Sequence, residues 1–232
     1  MTGPAVKFCG LTRLEDAAEA AQLDAGYLGA IFAGGPRLLS ADRAAALFAA
    51  GRAAAALAGR RLPLCVGVMG SQSPHAIAAL AADATLDVVQ LHADPVAADV
   101  EAVRRVAGVR VWAVLRVAGH VLPPTAAELF AAADAVVLDA KVDGRLGGTG
   151  VALDWEALAQ ACDAVRGDTP LVLAGGLTPG NVALAASALA PDVVDVSSGV
   201  ERAPGVKDHR LMHAFAVAAA SARRPAPAEH PS

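Results

Sequence analysis
A chain of 232 residues with 19 basic and 23 acidic side chains, net charge −4, carries no electrostatic case for a nucleic-acid surface, and no dense lysine or arginine run supplies a local one. Its 55% apolar content is that of a globular protein, and alanine-rich runs such as Ala53 to Ala58 are broken by arginine and glycine before they could span a membrane. Cys9, Cys65 and Cys162 are few, odd in number and far apart, which fits a reduced cytoplasmic protein better than a disulfide framework or a metal site. The first residues show no basic-then-apolar signal stretch, so a cytoplasmic location is expected.

The chain opens on Val6-Lys7-Phe8-Cys9-Gly10-Leu11-Thr12-Arg13-Leu14-Glu15-Asp16, a short apolar strand, a turn and a helix start. Thr12 and Glu15 stand at the spacing of a capping box. Strand alternation puts Lys7 and Cys9 on one face and Val6 and Phe8 on the other. A lone strand cysteine is usually a small buried hydrophobe; a lysine beside it is not ordinary core chemistry. From there, strands are predicted near 5–9, 27–32, 64–69, 87–91, 110–115, 135–139, 170–174 and 193–197. Helices follow each of them, near 13–25, 41–58, 74–83, 95–106, 125–132, 154–165, 179–190 and 208–222. Helix starts are signalled by Thr12, Ser40, Ser73 before Pro74, Asp94 before Pro95, and Thr178 before Pro179. Eight strand–helix units in alternation predict a single-domain α/β protein, a (β/α)8 TIM barrel over 1–222. An open doubly wound sheet has the same periodicity, which does not report closure. Residues 223–232, with three prolines, read as a disordered tail.

In a closed barrel, function sits on the strand C-termini and the loops after them. This chain puts Cys9, Phe32 with Pro36-Arg37, Gly67, His92, Arg116, Asp139, Gly175-Gly176 and Ser197-Ser198-Gly199 there. Gly175 and Gly176 follow strand seven; Ser197, Ser198 and Gly199 follow strand eight. Glycine lets backbone N–H groups approach an anion and serine adds hydroxyl donors, so these two loops are the expected phosphate site, against the plainer reading as turns. Asp139 ends strand six and faces the barrel mouth, ahead of a long glycine-rich loop from Lys141 to Gly150 that could act as a substrate clamp; an ordinary loop aspartate is the alternative. His92 is either a direct participant or a loop-holding histidine. Arg37 is a fork for a carboxylate or a solvated surface arginine.

Taken in order and spacing, K-F-C-G-L-T (7–12), V-G-V (66–68), Q-L-H (90–92), L-D-A-K-V (138–142), G-G-T-G (147–150), L-A-G-G-L-T-P-x-N-V (173–182) and D-V-S-S-G-V-E-x-x-x-G-V-K-D (195–208) resemble the phosphoribosylanthranilate isomerase family of tryptophan biosynthesis. The resemblance runs from Val6 to about Phe215. It implies a (β/α)8 barrel that converts N-(5′-phosphoribosyl)anthranilate to the 1-deoxyribulose compound by an Amadori rearrangement, with no metal and no organic cofactor. It implies Cys9 as general base, Asp139 as general acid, Arg37 near the anthranilate carboxylate, and phosphate on the loops after strands seven and eight. The chain departs from the pattern at Gly34-Gly35, where a Lys-Ser pair is usual, at Met69-Gly70, at Ala93 and at Leu153.

The expected partner is a small phosphosugar, with no nucleic acid or membrane and a monomer or weak homo-oligomer as the assembly. A non-catalytic phosphosugar-binding paralogue and an isomerase of a related phosphoribosyl amine remain as alternatives. Finally, Lys7 is expected to pair with Asp195 inside the barrel, because strand eight closes against strand one and both side chains point inward. That ammonium is expected to bias Cys9 toward thiolate; the alternative is that Lys7 runs down to water at the barrel floor.

Overall fold
Runs such as Leu64–Met69 and Ala135–Ala140 are apolar at nearly every position, the pattern of strands covered on both faces. The structure, a computed structural model, describes residues 3–117, 121–140 and 155–222. The strands are β1 (Ala5–Phe8), β2 (Tyr27–Ile31), β3 (Leu64–Met69), β4 (Val88–Leu91), β5 (Arg110–Val117), β6 (Ala135–Ala140), β7 (Leu171–Ala174) and β8 (Val193–Val196). They pair in chain order, all parallel, and β8 closes onto β1, which excludes the open sheet. The helices are α1 (Leu14–Gln22), α2 (Ala41–Leu57), α3 (Pro74–Asp83), α4 (Ala97–Ala107), α5 (Ala126–Ala132), α6 (Trp155–Arg166), α7 (Val182–Leu189) and α8 (His209–Ala220). Sequence reading missed one feature, a 3-10 turn (Ser198–Val200) leading into a small antiparallel hairpin of β9 (Glu201–Ala203) and β10 (Val206–Lys207).

Strand alternation divides the core in two. Inward residues Val66, Val88, Trp112, Val114, Val137, Val172 and Val193 fill the barrel, with Tyr27 set edge-on to Trp112. Outward residues such as Phe8, Leu28, Leu138 and Val194 meet the helices, where Phe48, Phe130 and Phe215 are the largest contributors. Each buried leucine or phenylalanine contributes roughly 1.5–3 kcal/mol over leaving it in water.

Helix starts followed the expected chemistry only in part. The Ser40 and Ser73 hydroxyls accept from the N–H groups of Arg43 and Ala76, as capping residues do. Thr12 does not cap α1: its hydroxyl donates to the carbonyl of Gly205, and Glu15 pairs with Arg13 at 3.2 Å. Asp94 pairs with Arg116 instead of capping α4, whose first turn is closed by Asp99 accepting from the Val96 N–H. At α7 the helix begins three residues late, because Asn181 takes the cap position and its side chain accepts from Thr178 N–H at 2.7 Å.

Candidate active site
Strand C-termini converge on a cavity of about 350 Å3 at the mouth of the barrel. Its wall carries Cys9 just after β1, His92 after β4, Asp139 from β6, Gly175 and Gly176 after β7, and Asp195, Ser197, Ser198 and Gly199 from β8 and its loop. Nine residues proposed from sequence therefore meet in one place. Round the mouth, the loops after β7 and β8 lie between Asp139 on β6 and Cys9 just after β1.

Cys9 is held by local geometry on both sides. Its N–H donates to Val196 O at 2.8 Å, tying it to β8. Gly29 of β2 leaves room for the thiol, since a Cβ there would lie 3.0 Å from the sulfur. Gly10 follows with φ +66, and a Cβ on it would meet Arg37 Cδ at 2.6 Å and Ser197 Oγ at 2.9 Å. Only glycine fits a left-handed residue that is covered so closely.

Below Cys9, Lys7 is fully buried and donates to Asp195 Oδ2 at 2.7 Å, directly across the β1–β8 register. Lys7 does not run down to water. Burial is the largest single influence and disfavours its charge, but Asp195 and Cys9 together offset it and the pKa stays above the ordinary lysine value. Cys9 behaves differently from the expectation. Burial pushes the thiol up, and the ammoniums of Lys7 and Lys207 do not offset it, so the resting residue is a neutral thiol. Asp195 also lines the cavity, and its buried Oδ1 has no hydrogen-bond partner among the described residues.

His92 is half-buried, and burial together with Arg116 lowers its pKa despite the opposing charge of Asp139. It is neutral at pH 7, with a buried Nδ1 that has no hydrogen-bond partner among the described residues. Arg116 is exposed, bonded to Asp94 and to the His92 carbonyl at 2.7 Å. The loop after β7 contributes Gly175 at φ +94 and Gly176 at φ +64, and it touches the loop after β8. A Cβ on Gly199 would fall inside contact distance of the Leu177 carbonyl.

Arg37 is placed differently from the others. It does not line the cavity; it lies over Gly10 with Nε and Nη2 bonded to the two oxygens of Glu201 at 2.9 and 2.6 Å. Gly34, which replaces a bulkier residue of the resembling pattern, lines the cavity at φ +118 with nothing within 4 Å of a Cβ position. Sequence reading also missed Gln90, buried at an inward position of β4 and lining the cavity, with an Oε1 that has no hydrogen-bond partner among the described residues. A single polar residue in the run Val88-Val89-Gln90-Leu91 was the available signal. The proposed clamp from Lys141 to Gly150 and the tail 223–232 lie outside the described residues. Among those described, no helix is long and apolar enough to cross a membrane, and no group of acidic, histidine or cysteine side chains is arranged to hold a metal.

A sequence profile described as N-(5'phosphoribosyl)anthranilate (PRA) isomerase matches residues 6–218. The N-(5'-phosphoribosyl)anthranilate isomerase of Pseudomonas fluorescens (strain Pf0-1) is 36% identical over 215 residues, covering 90% of this chain and 95% of that one. The crystal structure of phosphoribosyl anthranilate isomerase from Thermus thermophilus superposes with a TM-score of 0.74 at 34% identity, over 94% of this chain and 100% of that one. A further solved isomerase, in complex with reduced 1-(o-carboxyphenylamino)-1-deoxyribulose 5-phosphate, superposes at 0.75 with 29% identity, over 93% and 98% of the two chains.

Proposed function
The chain belongs to the N-(5'-phosphoribosyl)anthranilate isomerase family of tryptophan biosynthesis, and on that premise we propose that Cys9 is its general base and Asp139 its general acid. The observation that carries the assignment is their placement on one cavity, with the glycine- and serine-rich loops of β7 and β8 between them. Phosphate on Gly176, Ser198 and Gly199 would fix one end of the substrate and lay the ribose across the mouth between the two side chains.

Ring opening needs a proton on the ring oxygen, and Asp139 gives it. The C1′–O bond breaks, the aniline nitrogen supplies electrons, and an iminium forms at C1′. Cys9 then removes the proton from C2′, the C–H electrons move to the C1′–C2′ bond, and the resulting enolamine tautomerises to the ketone. Positioned acids and bases of this kind each contribute about 10²–10⁴-fold. The base is the thiolate, so the resting thiol must first release its proton to solvent before the C2′ proton is taken. The iminium places a positive charge beside Cys9 at the step where thiolate is required, adding to the ammonium of Lys7. Arg37 is assigned to the anthranilate carboxylate: Glu201 occupies two of its five N–H donors and leaves the Nη1 side of the fork.

The test is steady-state turnover of Cys9→Ser and Asp139→Asn, followed by loss of substrate fluorescence. Each change is expected to lower kcat by about 10²–10⁴-fold with the fold intact by circular dichroism. Near-normal turnover at saturating substrate in either variant removes that residue from its role.

A further inference from the structure
Behind Cys9 lies a cluster of charges that the acid–base scheme does not use. Lys207 is 1% exposed, yet it reaches three acceptors: the Cys9 carbonyl at 2.6 Å, the Ser197 carbonyl at 3.0 Å and Glu201 Oε1 at 2.8 Å. The same Glu201 Oε1 accepts from Arg37 Nε, so one carboxylate oxygen is shared between two cations. The Lys207 backbone is itself fixed. Its N–H donates to the buried Asp16 and its carbonyl accepts from Arg13, while Asp16 also accepts from Arg13 at 2.5 Å and contacts His209 at 2.8 Å.

We propose that Glu201, anchored by the buried Lys207, is a positioning residue that sets Arg37 beside Cys9 to receive an aryl carboxylate. The proposal rests on the assignment of Arg37 above. A bidentate carboxylate–guanidinium pair fixes a planar group in orientation as well as place, which a lone surface arginine lacks. Arg37 would otherwise keep most of its rotamer freedom on the open loop beside Gly34 and Gly35, where a Cβ would find nothing within 4 Å. Two cations and one anion leave the unit with a surplus positive charge at the edge of the cavity. Glu201 is held ionised: burial opposes its charge, but Arg37 and Lys207 outweigh it and keep its pKa below the ordinary value. The unit therefore favours an aromatic amine that carries a carboxylate over a neutral one. Because Lys207 also holds the carbonyls of Cys9 and Ser197, carboxylate, base and phosphate loop share one fixed frame.

Calorimetric binding of two ligands separates this from a merely structural role: reduced 1-(o-carboxyphenylamino)-1-deoxyribulose 5-phosphate and the same compound without the ring carboxylate. Arg37→Ala is expected to weaken the first by about 10–100-fold and the second by less than about twofold. Glu201→Gln is expected to weaken the first by about tenfold, spare the second, and raise KM with kcat nearly unchanged. In the Arg37→Ala background, Glu201→Gln should change neither ligand. Lys207→Met, which also frees the Cys9 and Ser197 carbonyls, is expected to weaken both ligands, the carboxylate-bearing one more, with Lys207→Arg restoring part of the loss; the Glu201 series is the selective test. Equal weakening of both ligands by Glu201→Gln, or an effect that persists without Arg37, overturns the proposal. An Arg37→Ala variant that treats both ligands alike instead overturns the carboxylate assignment on which the proposal stands.

Discussion

Lys7→Met, Asp195→Leu and the double variant measure the pair at the centre of the barrel. The ammonium has no exposed surface, the carboxylate side chain is 6% exposed, and their atoms are 2.7 Å apart. At an effective dielectric of about 20, two unit charges at that distance attract by about 6 kcal/mol, while burying each ion costs several kcal/mol. The pair as a whole therefore adds little net stability, but either partner alone is a buried, uncompensated charge. Each single change is expected to cost about 3–5 kcal/mol. Lys7→Met leaves Asp195 with neither oxygen bonded, since Oδ1 has no partner among the described residues. The double variant, with both cavities filled by apolar side chains, is expected to recover about 3 kcal/mol or more relative to the sum of the singles. Urea unfolding at pH 7 reads this directly. The folded pKa of Lys7 lies above 10.5, so its contribution is fully present below that value and is lost only as pH rises through the folded pKa. Additive losses, with a coupling under about 0.5 kcal/mol, would mean the two charges do not interact and would refute the reasoning.

Because burial raises the Cys9 pKa above the ordinary 9.0, carbamidomethylation of Cys9 and kcat/KM should still be climbing at pH 9, whereas kcat, which reports the complex, should level off earlier; a plateau of kcat/KM at neutral pH refutes the neutral resting thiol. His92 should titrate below 6.5 by NMR, and Arg116→Met should move it upward by removing a neighbouring cation; an unchanged midpoint in Arg116→Met would contradict the electrostatic cause. Gly10→Ala should cost about 2–4 kcal/mol, since it adds left-handed strain to a 2.6 Å approach to Arg37, and should raise KM; a neutral effect in thermal unfolding counts against the packing described for that turn.

The barrel was legible because its determinants are local. A parallel strand covered on both faces must be apolar along its length, and β3 at Leu64–Met69 and α3 at Pro74–Asp83 fall where periodicity, Ser73 and Pro74 put them. Lys7 and Asp195 could be paired from sequence for a related reason: alternation fixes their face, and closure of eight strands makes β8 the neighbour of β1. Most polar residues at strand ends likewise marked the cavity; the exceptions are Arg116, which turns to Asp94, and Arg37, whose contact with Glu201 joins positions 164 residues apart.

What only the tertiary structure decided are competitions between a local partner and a distant one. Thr12 had a nearby helix N-terminus to cap, and Gly205, 193 residues away, took its hydroxyl instead. Asp94 left its helix for Arg116 on β5. The protonation of Cys9 is the same kind of outcome. Adjacency to Lys7 argues for thiolate, but desolvation depends on how completely the closed barrel and the β9–β10 hairpin exclude water, and that is a property of the whole fold rather than of any stretch of chain.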